Sequence, residues 1–170
     1  EKFGLRVYEG YGATECAPVI ALSTPQCYRV GTVGRVLPGI EHRVEKVHGI
    51  EHGGVLHLKG PNVMLGYYRF SHPGVIEPPR SVCGEGWHCT GDVVDLGEDG
   101  VVKVVGRLGR FAKIAGEMVP LDEVERVAQC ASPAHQHAAI VRAESASGET
   151  TVLFTTDRGL AAPSPGAWAW

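Results

Sequence analysis

The run Val93–Arg107, VVDLGEDGVVKVVGR, constrains the fold of this chain more than any other stretch. Two segments rich in valine flank Gly97-Glu98-Asp99-Gly100. β-branched residues on both sides of a four-residue glycine/acid loop predict an antiparallel hairpin. His42–Val47 alternates polar and apolar residues as a half-buried strand does, and Gly53–Gly60 reads as its partner across a glycine-rich connection. The middle of the chain is therefore expected to be a small antiparallel β unit. Twenty-three glycines and eleven prolines in 170 residues agree with short strands and many turns rather than a helical bundle.

Around this unit the reading is less regular. Leu5–Tyr8 is expected to be a short strand running into a glycine turn. Ser71–Gly86, with Pro73, Pro78 and Pro79, is expected to be a mobile surface excursion. After Gly116 the pattern becomes helical: Leu121, Val124, Val127 and Ala128 share one face, Pro120 opens the helix, and Asp122 and Glu123 suit its positive end. Two further strands, joined by a Ser/Gly turn, follow in AAIVRAES and TTVLFTT. The fold class is α+β, with a boundary near Leu108–Arg110 that divides residues 1–108 from 109–170.

Bulk chemistry narrows the function. Sixteen basic against nineteen acidic residues give a net charge of −3, which argues against a nucleic-acid partner. The five cysteines are odd in number and form no CxxC, so they read as reduced thiols of a cytoplasmic protein. No run of 18 apolar residues suggests a membrane helix. The absence of an initiator methionine and the terminal GLAAPSPGAWAW suggest a piece of a longer protein. Val7, Val19, Ile20 and Leu22 are then expected to be exposed and to favour oligomers or poor solubility. His135 and His137, near Cys130, raise the idea of a zinc site on one face of a strand, but no fourth ligand is apparent.

Four segments stand in a particular order: YGATE (Tyr11–Glu15), GVLHLKGPNVMLGYY (Gly54–Tyr68), GWHCTGD (Gly86–Asp92) and GRLGRFAKIAGEMVPLDEVE (Gly106–Glu125). Alone, Thr14 and Glu15 suit a helix cap as well as a phosphate site. Together the four segments resemble the adenylate-forming superfamily of acyl-CoA synthetases, luciferases and peptide-synthetase adenylation domains. RFAKIAGEMVPLDEVE is most similar to the acyl-acyl-carrier-protein synthetase part of bifunctional 2-acylglycerophosphoethanolamine acyltransferases.

The resemblance implies the C-terminal part of a large adenylation domain with its β subdomain (1–108), then an incomplete C-terminal lid subdomain (109–170). It implies ATP or AMP and Mg2+ as cofactors, with a fatty acid and either acyl carrier protein or coenzyme A as partners. Thr14 would bond a phosphate oxygen, and Glu15 would hold magnesium. Tyr11 and Gly12 would wall the adenine. Asp92 would accept from the ribose hydroxyls, and Arg107 would lie near ribose and phosphate. Gly116 would sit on the loop that moves toward the thiol tunnel, Gly109 would pivot the lid, and Lys113 would meet either the carrier's phosphate or only solvent. The family's phosphate loop and catalytic lysine have no match here, so the 170 residues alone are expected not to form acyl-adenylate, and the missing upstream and downstream parts would be partners. An ordinary acyl-CoA ligase and a non-catalytic remnant or interaction module are the competing readings. The resemblance also allows a place at the cytoplasmic face of the inner membrane for the full-length protein.

Overall fold

The computed structural model describes residues 4–5, 7–114, 116–144 and 148–160. The chain divides into two compact units, Glu1–Gly109 and Arg110–Trp170.

The first unit is built on two sheets. β1 (Gly10–Gly12), β2 (Val19–Leu22) and β3 (Arg35–Val36) form a three-stranded antiparallel sheet in that order. β4 (Glu41–Glu45) and β5 (Gly54–Lys59) belong to the main sheet. The short ribbons β6 (Tyr67–Tyr68) with β7 (Ile76–Glu77) and β8 (Arg80–Ser81) with β9 (Gly84–Glu85) come next. β10 (His88–Leu96) and β11 (Val102–Arg107) complete the main sheet, ordered β11-β10-β5-β4. The turn between β10 and β11 closes through Gly97 N–H to Val101 O (2.9 Å) and Gly100 N–H to Gly97 O (2.8 Å). Gly100 adopts φ 76°, a conformation that costs glycine nothing.

The apolar core of this unit joins both sheets: Ile20 and Ala21 from the first, with Cys16 from the turn between β1 and β2, meet Leu56, Leu58, Val94 and Val102 from the second. Backbone bonds tie them as well, Val33 N–H to Val102 O and Val102 N–H to Gly34 O.

In the second unit β12 (Phe111–Ile114) pairs with β13 (Glu117–Pro120), and α1 (Leu121–Ala131) follows directly. Pro120 takes the cap position at φ −66°, the value its ring imposes. Leu121 and Ala128 are buried. Val124 packs on a core of Ala112, Leu121 and Ala139, and Val127 is half-buried. β14 (His137–Glu144) and β15 (Gly148–Thr155) form an antiparallel pair. Among the described residues no helix is long and apolar enough to cross a membrane.

Several expectations need correction. Leu5, Val7 and Tyr8 form no strand; the first strand is Gly10–Gly12, where a glycine turn was expected. Pairing with β2 recruits these residues, an energy that local propensity does not carry. Ile20 is fully buried, because β2 lies between two strands and turns it onto Leu56 and Leu58, while Val7, Val19 and Leu22 remain exposed. Ser71–Gly86 holds one strand of the first ribbon and the whole of the second. His135 precedes β14, so it does not share a strand face with His137; its ring meets Ser132 Oγ at 2.8 Å. No cluster of three or more His, Cys, Asp or Glu suits a metal ion among the described residues. The expected Ser/Gly turn between β14 and β15, and most of the terminal GLAAPSPGAWAW, lie outside the described residues.

Candidate active site

The site is assembled at one end of the bulged strand β10. The β10–β5 register shifts between Cys89 and Val93, and the β10–β11 register shifts between Val93 and Val94. Gly91 sits in this interval at φ 71°. A bulge re-aims the side chain beside it, and here that side chain is Asp92. TGD is therefore part of a strand rather than a free turn. Thr90 pins the bulge: its hydroxyl donates to Leu56 O (2.9 Å) and accepts from Asp92 N–H (3.1 Å).

Asp92 is 7% exposed and both its carboxylate oxygens are engaged. Tyr11 Oη donates to Oδ2 at 2.6 Å, and Arg107 Nε meets Oδ1 at 2.9 Å. Arg107 arrives because β11 pairs it with Asp92 directly across the sheet. Burial pushes the Tyr11 hydroxyl well above the usual phenol range, and the bond to Asp92 adds to the shift. Tyr11 is thus a permanent donor at neutral pH. The Arg107 side chain is 68% exposed, so its fork opens to solvent.

Thr14 and Glu15 lie on a one-turn 3₁₀ helix, Thr14–Cys16. The cap position falls on Ala13, which has no polar side chain, so the Thr14 hydroxyl is not spent on capping; Thr14 itself is exposed. The turn closes through Ala17 in the left-handed region (φ 50°, ψ 59°), a costly conformation for a non-glycine residue. The segment around Asn62 clamps it. Met64 N–H donates to Glu15 O (2.8 Å), and Asn62 Nδ2 donates to Cys16 O (2.9 Å) and Val19 O (3.3 Å).

The Glu15 carboxylate is partly exposed and accepts the Tyr67 hydroxyl at Oε1 (3.2 Å). It is held below the usual carboxylate range, first by its own backbone N–H, then by Tyr67, with the charge of Arg107 also acting. Buried His88 is lowered by desolvation, against a raising influence from Glu15 and Asp92. Tyr67 did not stand out in the sequence, because it touches the site only through Glu15, 52 residues away.

Gly12 has a structural reason of its own. A Cβ there would lie 1.8 Å from Pro18 O, where the β1–β2 register shifts. In the second unit Gly116 has φ 94° and nothing within 4 Å of a Cβ, so its backbone conformation, not space, favours glycine. The Lys113 side chain is exposed, while its N–H donates to Glu149 Oε2 (2.5 Å).

Residues 1–68 match the AMP-binding enzyme family. A long-chain-fatty-acid–CoA ligase of Salmonella typhimurium is 31% identical over 160 residues, 91% of this chain and 28% of that protein. An anthranilate–CoA ligase of Pseudomonas aeruginosa is 34% identical over 72% of this chain and 24% of its own length. The chain thus spans about a quarter of the length of the curated relatives it matches. Among solved structures, O-succinylbenzoate coenzyme A synthetase from Bacillus subtilis, in complex with ATP and magnesium ion, is 26% identical with a TM-score of 0.68, over 91% of this chain and 32% of that one. ATP-bound MatB from Rhodopseudomonas palustris is 28% identical with a TM-score of 0.68, over 94% and 32%. Mixed, strand-dominated architecture and four ordered motifs define a partial adenylation domain. The chain belongs to the adenylate-forming, AMP-binding enzyme superfamily.

Proposed function

We propose that this chain carries the ribose- and phosphate-facing part of the ATP site of an acid–thiol ligase. Such an enzyme activates a fatty acid by attack of its carboxylate on the α-phosphate, releasing pyrophosphate, and passes the acyl group to a thiol. The observation that carries this reading is the buried Asp92 carboxylate between Tyr11 and Arg107. Two acceptor oxygens match the two adjacent hydroxyls of a ribose, and each oxygen has lone pairs beyond those engaged. The exposed guanidinium beside them suits a phosphate.

Tyr11 and Gly12 offer an aromatic face and a side-chain-free strand to the adenine. The Thr14 hydroxyl is free to donate to a phosphate oxygen. Glu15 fits a magnesium ion, being a depressed-pKa carboxylate, partly exposed, next to a hydroxyl. Magnesium usually keeps several waters and needs only one or two protein carboxylates plus substrate phosphates. When bound, it would supply positive charge beside the phosphate oxygens where charge develops. The work of these residues is positioning and electrostatic stabilisation, as phosphoryl chemistry requires.

The long-chain-fatty-acid–CoA ligases among the relatives favour a fatty acid and coenzyme A. Acyl carrier protein as thiol donor is the second reading, supported by the character of RFAKIAGEMVPLDEVE. Calorimetric titration of the chain with ATP, beside its Asp92→Ala variant, tests the site. A loss of tenfold or more in affinity is expected, and equal affinities would refute the assignment. Thioester formation by the complete protein, with coenzyme A against carrier protein, separates the two acceptors.

A further inference from the structure

We infer that Tyr67 is a positioning residue that holds the Glu15 carboxylate in its metal-binding orientation. The inference rests on the nucleotide-site reading above and adds to it a role for Tyr67, which lies in the Gly54–Tyr68 segment, where no residue was assigned one. Tyr67 is the first residue of β6, 52 positions from Glu15 in sequence. Its hydroxyl donates to Glu15 Oε1 at 3.2 Å. Its ring is fixed from two sides. Tyr67 pairs with Glu77 across the ribbon, and Glu77 Oε2 accepts from Arg69 Nε at 2.7 Å. Arg69 in turn lies over the Tyr67 ring, 5.1 Å from its centroid. Gly66 permits the close approach of this ribbon, since a Cβ there would lie 2.3 Å from Glu77 O. Meanwhile Met64 N–H holds the Glu15 backbone from the same segment.

Residues 64–67 therefore grip Glu15 at both its carbonyl and its carboxylate. A carboxylate with one oxygen engaged by a fixed donor has lost rotational freedom about its last bond. It can then present Oε2 to a cation without paying that entropy on binding. A freely rotating Glu15 would bind the same ion more weakly. The hydroxyl acts through Glu15, so its effect should appear only where the metal contributes.

The test is calorimetric titration with ATP in excess magnesium and again in EDTA, on the wild-type chain and on Tyr67→Phe, Glu15→Gln and Tyr68→Phe. Thermal melting of each variant is recorded alongside. Tyr67→Phe keeps the ring and Arg69 stacking, so its melting should match the wild type. The magnesium-dependent gain in affinity should fall about three- to tenfold in Tyr67→Phe and vanish in Glu15→Gln, with affinity in EDTA unchanged. Tyr68→Phe, whose hydroxyl instead accepts from Gly74 N–H, should behave as wild type. A wild-type magnesium gain in Tyr67→Phe would overturn the inference while leaving the nucleotide site intact. Equal losses with and without metal, or the same loss in Tyr68→Phe, would also overturn it. Failure of the wild-type chain to bind ATP in either buffer would overturn both readings.

Discussion

Tyr11 and Asp92 lie 81 residues apart in the chain, and a 2.6 Å hydrogen bond from Tyr11 Oη to Asp92 Oδ2 joins the two sheets of the first unit. With Arg107 on the other oxygen, the protein's own side chains satisfy the buried carboxylate. This matters because a buried charge without partners is costly, so the carboxylate needs its neighbours before any ligand arrives.

Tyr11→Phe removes one donor and leaves Arg107. Loss of a hydrogen bond to a charged, mostly buried acceptor costs about 1.5–3 kcal/mol. Denaturant unfolding should show the midpoint falling by a corresponding amount with an unchanged slope. Because the ring remains, ATP affinity should fall less in this variant than in Tyr11→Ala. Equal stability of Tyr11→Phe and wild type would mean that the bond is not formed in solution.

Gly12 and Gly109 should respond oppositely to alanine. At Gly12 the new methyl would meet the Pro18 carbonyl at 1.8 Å, so the β1–β2 pairing must shift or break, at a cost of about 2–4 kcal/mol. At Gly109 nothing lies within 4 Å and φ is not positive, so alanine should alter stability by less than about 0.5 kcal/mol. Paired melting curves decide this, and a tolerated Gly12→Ala would contradict the close approach.

Glu125 on α1 links three elements of the second unit. Oε1 accepts from Ala139 N–H of β14 (2.7 Å), and Oε2 accepts from Arg110 Nη2 (2.8 Å). The Ala139 N–H, and then Arg110, hold its carboxyl below the usual range. A depressed folded-state pKa means that the stabilisation is full above the ordinary glutamate range. It is lost as pH falls through the folded value. Glu125→Gln should therefore cost about 1–2 kcal/mol at neutral pH. Urea titrations should show the gap to wild type closing below about pH 4. A gap that widens in acid would reverse the sign and refute the argument.

The cysteines should separate by reactivity. Burial, and next the Glu15 charge, push the Cys16 thiol up to about 11. Thr24 lowers the Cys27 thiol, its hydroxyl at 3.2 Å and its N–H at 3.4 Å from Sγ. The thiolate is the reactive form. Iodoacetamide labelling followed by mass spectrometry at pH 7 should modify Cys27 about a hundredfold faster than Cys16, and urea should erase the difference. Comparable native rates would show that the core around Cys16 is open.

The sequence by itself determined the elements whose causes are local. The β10–β11 hairpin was legible because its turn chemistry sits between two valine-rich runs, and α1 because its apolar spacing, opening proline and early acids all lie within one stretch. The chemistry of Tyr11, Thr14, Glu15, Asp92 and Arg107 was legible only as four motifs in order, by resemblance rather than by any force readable in the string. Tertiary structure alone decided what depends on partners far away in the chain. It buried Ile20 by placing β2 between two strands, gave Gly12 its necessity through Pro18, and brought Tyr67 to Glu15. It also turned Asp92 toward Tyr11 with a bulge at Gly91. Hydrogen bonds and close packing act over a few ångströms, so residues 52 or 81 positions apart meet only after strand pairing has chosen their register.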